Sequence, residues 1–404
     1  MNFTIPAEIV DIAQRARTFV EEVAIPMEPE GFDDLGVRPG ARASLIAEAK
    51  QRGLPCPQAS PELGGLGIDM RGRAVVYEEA GRSLLGAQGL NCAAPDEGNM
   101  HLLERVATDE QKNRFLAPLV AGDIRSCFAM SEPPPGAGSD PAMLRSTATK
   151  IDGGWRLDGH KWFITGAVGA EFAIFMARTG EQIDKHGGAT MFLVELGAPG
   201  VEIVRAIATY DAAAVGGHAE MRFDGVEVGD DAVLGAVDQG YRYAQVRLAP
   251  ARLTHCMRWL GLAQRAHEMT IERVAGREAF GQVLGTHGMA QQMLADNEIE
   301  LRASRLLTWQ ACDVLDRGGD ARQESSIAKT YVAEAVHKVV DRCVQLHGAV
   351  GVSGETILSR FLSEVRPFRI YDGPSEVHRW AIARRLVHTA GNARPITDGI
   401  GTPT

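Results

Sequence analysis

The chain has 404 residues, of which 45% are hydrophobic and 23% are charged. A chain of this length usually forms two or three domains, and this composition excludes disorder over most of it. Its 52 acidic residues against 42 basic ones give a net charge of −10, which argues against broad binding to nucleic acid or to an anionic membrane, since both need a basic face.

Residues 1–125 predict an all-α N-terminal domain. The first segment, MNFTIPAEIVDIAQRARTFVEEVAIP, places apolar side chains at helical spacing, and RASLIAEAKQRG and RGRAVVYEEAGRSL repeat the pattern. The first segment lacks the early basic region of a signal peptide, and no apolar run approaches the roughly 18 residues that span a membrane. We therefore expect a soluble cytoplasmic protein.

Residues 126–235 predict a middle β domain. Short β-type runs are broken here by Asp-Gly turns, as in TATKIDGGWRLDGHKWFITGA, and runs such as ATMFLVELG and HAEMRFDGVEV follow. Strands this short and this closely spaced favour a β-barrel or a sandwich.

Residues 236–404 predict a helical bundle. Three long helical patterns begin with GYRYAQVRL, HGMAQQMLA and SSIAKTYVA, and a shorter fourth is HRWAIARRLVH. The tail NARPITDGIGTPT is polar and rich in Gly and Pro, so it is expected to fray.

The cysteines and histidines predict neither a metal site nor a redox pair. None of the six cysteines has CxxC spacing, and the eleven histidines show no HExxH or comparable pattern. Free or buried thiols in a reducing compartment are expected instead.

Two segments of the middle region contain residue types suited to cofactor binding, although each also has an ordinary structural interpretation. The loop MSEPPPGAGSDPAML can bring backbone N–H groups close to a phosphate or a ring, but it could equally be a surface loop. In GHKWFITGA, Trp162 and Phe163 point in opposite directions on a strand, so one ring could face a flat cofactor unless both are simply packed.

Three C-terminal segments can likewise be interpreted either as ligand-binding or as ordinary structural segments. In GREAFGQVLG, Arg277 could bind a pyrophosphate or simply favour the end of a helix. In VQLHGAVGVSGE a helix ends in a Gly-rich loop, where His347 is more often a capping residue than a ligand. RIYDGPSEVHR contains an Asp-Gly-Pro turn before a helix that Ser375 could cap, so Asp372 taken alone is a turn residue.

In this order, and in this helical–β–helical setting, the five segments resemble the acyl-CoA dehydrogenase family over about residues 5–390. The resemblance implies an α+β multidomain fold with an N-terminal helical domain, a middle β-barrel domain and a C-terminal four-helix bundle. It also implies FAD as the cofactor, an acyl-CoA as the substrate, and a homodimer or homotetramer with FAD at the subunit interface.

The resemblance also assigns roles to single residues. Asp372 stands where the family usually has a Glu and becomes the catalytic base. The residues placed against FAD are Phe128, Met130, Ser131, Phe163, Thr165, Arg277, Phe280, Gln345, Gly348, Pro374 and Glu376. The residues placed against the substrate are Ser139, Arg252, Tyr371 and Gly373.

The chain departs from the family pattern at several of these segments. Two additional prolines interrupt the loop before Ser139, Phe163 stands where a Trp is usual, and Gly288 replaces a Gln. The DGPSEVH motif is similar to the branch that includes mammalian members ten and eleven, some of which act on 4-hydroxy- or 4-phospho-acyl-CoA.

The implied reaction is α,β-dehydrogenation of an acyl-CoA, with the α-proton taken by Asp372. The hydride goes to the flavin and the electrons pass to an electron-transfer flavoprotein. Two alternatives stay open. One is a flavin oxidase similar to nitroalkane oxidase, which also uses an Asp as its base. The other is a non-catalytic subunit that binds FAD or acyl-CoA, against which the presence of Asp372, Arg277 and Gln345 argues.

Overall fold

The computed structural model describes residues 4–180, 188–211 and 213–392. The tail predicted to fray lies outside the described residues from residue 393 onward. No helix within these ranges is long and apolar enough to cross a bilayer.

The N-terminal part is mainly helical, as predicted. Its α1 begins without a side-chain cap, whereas Asp69 caps α4 and Thr108 forms a capping box with Gln111 on α7. A π-helical turn at Val20–Ala24 joins α1 to α2. The helices are α1 (Ala7–Phe19), α2 (Ile25–Met27), α3 (Pro39–Gln51), α4 (Met70–Ala80), α5 (Gly86–Gly89), α6 (Asp96–Val106), α7 (Asp109–Gln111) and α8 (Ala117–Ala121), and the short strands β1 (Phe32–Asp33) and β2 (Gly36–Val37) pair after α2.

The middle part is a curled, mixed sheet of seven strands, a half-barrel. The strands are β3 (Ser126–Ala129), β4 (Thr147–Ile151), β5 (Gly154–Thr165), β6 (Phe172–Arg178), β7 (Ala189–Glu195), β8 (Val201–Ile207) and β9 (His218–Gly229). Their order is β3-β6-β4-β5-β9-β8, with β7 paired to β6. β3 runs parallel to β6, and β4 and β5 form the predicted hairpin at Asp-Gly-Gly, where Gly153 has a φ of 71°.

Strand β6 shows why the sheet sequence is apolar rather than alternating. Ile174 and Met176 pack into a cluster with the helices of the N-terminal part, whereas Ala173 and Phe175 pack into a second cluster formed by other strands of the sheet. Successive side chains of a strand face opposite sides, so a strand covered on both faces needs apolar residues throughout.

The C-terminal part contains the four predicted helices and one more. They are α9 (Gly240–Gly276), α10 (Gly288–Asp316), α11 (Arg322–His347), α12 (Leu358–Val365) and α13 (Ser375–Asn392), with the short strands β10 (Glu278–Ala279) and β11 (Gln282–Val283) after α9. Helix α12 was not predicted. The cluster that contains Phe19 of α1 and Tyr77 of α4 continues through Leu260 of α9 and Val336 of α11, so the two helical parts share one core.

Candidate active site

A pocket of about 630 Å³ opens where the helical parts meet the sheet. Its wall combines residues 81–98, the ends of β5 and β9, one side of α9 and the segment that leads to α13. Four of the residues predicted from the sequence line it, namely Phe163, Thr165, Tyr371 and Asp372.

Phe163 reaches the pocket because β5 contains a bulge. The register with β9 shifts between Lys161 and Ile164, and Phe163 has a φ of 51°. Its ring is 46% exposed and meets the ring of Trp162 edge to face, with 4.9 Å between the centroids. A left-handed non-glycine residue costs roughly 1 kcal/mol or more, so the bulge holds the aromatic ring on the pocket wall at the expense of backbone strain.

Thr165 belongs to a hydrogen-bonded chain on the same wall. Its Oγ1 lies 3.0 Å from Nδ1 of His218, and Nε2 of His218 lies 3.0 Å from Oδ2 of Asp211. Burial acts to raise the pKa of Asp211, but the hydrogen bond and the charge of His218, together with the hydrogen bonds from Thr209 and the backbone, lower it overall. These two hydrogen bonds of His218 therefore fix the Thr165 hydroxyl against β9.

The Gly- and Pro-rich loop after β3 is tied to the sheet by a buried carboxylate. Oε1 of Glu132 accepts hydrogen bonds from the N–H of Ser146 (2.9 Å) and from Nζ of Lys161 (2.9 Å), and Oε2 accepts one from the N–H of Arg145 (2.7 Å). Burial lowers the pKa of Lys161 to about 8. Burial opposes ionisation of Glu132 too, but the Lys161 ammonium and the Ser146 donors lower its pKa overall. Both ends of the loop with the additional prolines are thereby anchored.

Phe128 lies on β3, and Met130 and Ser131 begin this loop; all three are partly buried. Oγ of Ser131 donates to the carbonyl of Trp162, which joins the loop to β5. The guanidinium of Arg247 lies 4.3 Å from the centroid of the Phe128 ring. The pocket lining includes Arg247 but none of these three predicted residues.

Side chains from three helices hold the turn that carries Asp372. Asp372 and Gly373 have φ values of 55° and 98°. The carbonyl of Asp372 accepts from Nε of Arg252 (2.9 Å) and from Nε2 of His378 (3.1 Å), and the carbonyl of Gly373 accepts from Nζ of Lys329 (2.7 Å). Burial lowers the pKa of His378 to about 4 and that of Lys329 to about 8. Arg252 thus contacts the backbone of the predicted base.

The carboxylate of Asp372 faces the pocket. The side chain is 17% exposed, and its Oδ2 is buried and has no hydrogen-bond partner among the described residues. Nε2 of His255 lies 3.4 Å from this oxygen. Burial lowers the pKa of His255 well below its ordinary value, and the nearby arginines lower it further, so the imidazole is neutral and the contact is not an ion pair.

The hydroxyl of Tyr371 stays protonated beside the base. It accepts a hydrogen bond from Nε1 of Trp259 at 2.6 Å. Burial raises the pKa of Tyr371 well above its ordinary value. Its ring and that of His255 lie 4.8 Å apart, which packs the two pocket residues together.

The remaining predicted residues do not line the pocket. Arg277 and Phe280 lie at the end of α9 and on the β10–β11 turn, and the Phe280 side chain is 97% exposed. Gly348 ends α11 with a φ of 63° and open space around its α-carbon. The others outside the lining are Ser139, Arg252, Gln345, Gly373, Pro374 and Glu376, all exposed or partly exposed.

Several polar pocket residues escaped the sequence analysis. Arg247 lies on α9 two turns before His255, and both line the pocket, a spacing that could have indicated a polar face. Glu97 of α6 accepts from the hydroxyl of Thr254 (3.0 Å), and its Oε1 is buried without a hydrogen-bond partner among the described residues. Nothing in the sequence near Glu97 or His218 indicates that either would face the pocket.

Three family models together match nearly all of the chain. Residues 6–123 match the acyl-CoA dehydrogenase N-terminal domain, residues 127–226 the middle domain and residues 238–387 the C-terminal domain. Each match coincides with one of the three parts described above.

Individual proteins of known sequence or structure are similar as well. Probable acyl-CoA dehydrogenase FadE2 of Mycobacterium tuberculosis is 35% identical over 397 residues, which cover 95% of this chain and 96% of that protein. Acyl-CoA dehydrogenase family member 10 of Mus musculus is 34% identical over 381 residues, which cover 91% of this chain but only 36% of the mouse protein. A solved structure from Mycobacterium abscessus, assigned to the acyl-CoA dehydrogenases, has a TM-score of 0.90 at 33% identity and covers 96% of this chain and all of its own.

Proposed function

The chain belongs to the acyl-CoA dehydrogenase family, whose members are FAD-dependent oxidoreductases, and we propose that it converts an acyl-CoA to the 2-enoyl-CoA with Asp372 as the catalytic base. The observation that carries the proposal is the buried Oδ2 of Asp372, which has no hydrogen-bond partner among the described residues and lies in the 630 Å³ pocket. Burying a carboxylate oxygen without a hydrogen-bond donor costs free energy. A role as the base that removes a C–H proton accounts for this arrangement.

The residues on the pocket wall fit a flat ring cofactor. The exposed ring of Phe163 and the Thr165 hydroxyl, held by His218, line the same pocket as Asp372. When bound, FAD supplies the acceptor for the hydride that leaves Cβ. We propose that Arg277, Phe280, Gln345 and Gly348, which are exposed in the single chain, contact FAD across a subunit interface.

The protein must then supply a proton acceptor, a donor to the thioester oxygen, and residues that keep both in one orientation. Oδ2 of Asp372 takes the proton from Cα of the thioester while a hydride leaves Cβ and the Cα=Cβ bond forms. The N–H of Asp372 is the protein donor that family resemblance assigns to the thioester oxygen, where negative charge grows. Arg252, His378 and Lys329 hold the carbonyls of this turn, so the carboxylate and the N–H keep one orientation.

Replacing Asp372 tests the proposal. Asp372→Asn keeps the size of the side chain but removes its basicity, so we expect FAD to stay bound while anaerobic flavin bleaching by acyl-CoA slows by at least about a thousandfold. Asp372→Glu keeps a carboxylate and serves as the matched control, with a smaller loss. Rapid bleaching in Asp372→Asn would remove Asp372 from the role of base.

The substrate and the electron acceptor need separate measurements. Because Glu97 and Arg247 make part of the pocket polar, the bleaching panel should include straight, branched, aromatic, 4-hydroxy and 4-phospho acyl-CoAs. We propose an electron-transfer flavoprotein as the acceptor. Stopped-flow mixing of the reduced enzyme with air distinguishes this from an oxidase, since an oxidase is reoxidised rapidly and a dehydrogenase slowly.

A further inference from the structure

We propose that His255 is a positioning residue for Asp372, in which the Nε2–H of a neutral imidazole holds the carboxylate and Arg258 fixes the tautomer that makes this bond available. The inference rests on the proposed role of Asp372 as base. Its geometric basis is a line of three groups, Arg258, His255 and Asp372, that runs from the buried side of α9 to the pocket.

The tautomer of His255 follows from its neighbour. Nη2 of Arg258 lies 3.1 Å from Nδ1 of His255. A guanidinium has donors and no acceptor, so Nδ1 must accept this hydrogen bond. The single proton of a neutral imidazole is therefore on Nε2, the atom that lies 3.4 Å from Oδ2 of Asp372. Arg258 is itself held in place, because its Nη1 donates to the carbonyl of Cys92 at 2.7 Å.

The surroundings of His255 keep it neutral. The imidazole is buried against two aromatic rings. Its centroid lies 4.8 Å from that of Tyr371 and 5.8 Å from that of Phe368. Burial lowers its pKa, and positive charges on Arg258, Arg247 and Lys329 lower it further. The side chain is thus a hydrogen-bond donor to the carboxylate that brings no charge of its own.

The other charged and titratable groups around Asp372 come from four helices and from the turn itself. Helix α9 contributes Arg247, Arg252 and Arg258, helix α11 Lys329 and helix α13 His378. Tyr371 and Cys256 also lie near the carboxylate, and burial raises both of their pKa values so that both stay protonated. Glu97 of α6 lines the same pocket. Arg252 and His378 bond to the backbone of Asp372, and Lys329 bonds to that of Gly373. Arg247 donates to the side chain of Asn99, and Arg258 donates to the carbonyl of Cys92 and to His255. His255 is therefore the group placed to donate to the side chain of Asp372.

At 3.4 Å the contact between Nε2 and Oδ2 is long and is not a formed hydrogen bond, so Oδ2 has no partner among the described residues. Catalytic hydrogen bonds of this kind are often long before the substrate binds and tighten in the complex. A donor to the ionised carboxylate favours the charged form. Without His255 the ionised carboxylate loses this donor, so the acidic limb of the pH profile is expected to move to higher pH.

A pair of isosteric variants separates the two contacts of the imidazole. The amide of Gln places a nitrogen near the Nε2 position, so His255→Gln keeps a donor to Asp372. The amide of Asn reaches only the Nδ1 position, so His255→Asn keeps an acceptor for Arg258 but withdraws the donor from Asp372. We expect His255→Asn to move the acidic limb of kcat/KM up by about one pH unit, a roughly tenfold loss of rate on that limb, whereas His255→Gln stays close to the parent.

Two readouts and two further variants make the test decisive. The acidic limb is measured by flavin bleaching with the fastest acyl-CoA of the panel, and protonation of the Asp372 carboxyl by pH-difference infrared spectroscopy, with Asp372→Asn as the reference. His255→Phe keeps the ring packing, so it should reproduce the His255→Asn shift even if the Asn variant folds poorly. His267→Asn changes a buried histidine on the same helix, remote from the pocket, and should shift neither readout.

The outcomes distinguish this inference from the proposed function. An unshifted infrared titration in His255→Asn and His255→Phe overturns the positioning role, as does an equal shift in His255→Gln. Full activity in Asp372→Asn overturns the proposed base instead. The infrared titration still reports whether His255 acts on the carboxylate in that case, because it needs no turnover.

Discussion

At the scale of single residues, the molecule concentrates strain and buried polarity on one turn. Asp372 has a left-handed backbone, and its carbonyl and that of Gly373 accept from Arg252, His378 and Lys329. Positive φ at a non-glycine residue persists only where the surroundings enforce it. Three donors on two successive carbonyls are such an enforcement, and they direct the Asp372 side chain into the pocket.

Gly373 is predicted to be irreplaceable in this turn. A Cβ at Gly373 would lie 2.8 Å from Nε2 of His378, and its φ of 98° disfavours any side chain. We expect Gly373→Ala to lower the free energy of unfolding by about 2 kcal/mol and to slow flavin bleaching at least about tenfold.

The matched control is Gly318→Ala. Gly318 also has a left-handed φ, 81°, but a Cβ there would meet open space. Gly318→Ala should lower the free energy of unfolding by about 1 kcal/mol, as measured with denaturant, without changing the bleaching rate. An equal loss of rate in both variants would show that the crowding of a Cβ at position 373 against His378 does not matter.

At the scale of elements, the loop after β3 depends on one ion pair. Glu132 and Lys161 are both buried, and the carboxylate also receives backbone N–H groups from the far end of the loop. The pair therefore couples the loop that carries Ser139 to the strand that carries Phe163 and Thr165.

Glu132→Gln is expected to loosen this loop. It leaves the buried Lys161 ammonium without its counter-charge, which should cost about 3 kcal/mol in urea unfolding and weaken acyl-CoA binding in a titration. Glu195→Gln makes the same chemical change in an exposed pair with Arg114, whose side chains are 55% and 57% exposed, and should change stability by less than about 0.5 kcal/mol. Similar losses in the two variants would contradict the anchoring role.

At the scale of the whole molecule, apolar surface lies open on the C-terminal part. Phe280 is 97% exposed, and Met289 of α10 and Val387 of α13 are more than 70% exposed. Exposed apolar side chains mark an association surface where they form a contiguous patch. Family resemblance gives them a partner, since it places FAD between two subunits.

We therefore expect a homodimer or homotetramer that loses FAD when the subunit contact is weakened. Phe280→Ala should keep its helical content by circular dichroism but bind FAD at least about tenfold more weakly. Val10→Ala, an exposed apolar change on α1, is the control and should keep its FAD. Light scattering gives the mass of the assembly, and a monomer that retains FAD would contradict the prediction.

The sequence by itself determined the order of the helical, β and helical parts and the position of Asp372 in a turn. These features follow from local rules, since helical spacing and the Asp-Gly turn before Trp155 involve residues close in the chain. Helix α12 was not predicted, and only the structure shows that the expected barrel closes as a half-barrel, because both depend on packing against distant segments.

Only the tertiary structure decided what surrounds the base. Arg252 bonds to Asp372 across 120 residues of chain, and Glu97 bonds to Thr254 across 157. Histidines and arginines on a long helix have the same local pattern whether they face solvent or a pocket. The position of α9 against α6 and against the 371–374 turn directs Arg258 and His255 toward Asp372. That position follows from the two apolar clusters that join these elements rather than from any local motif.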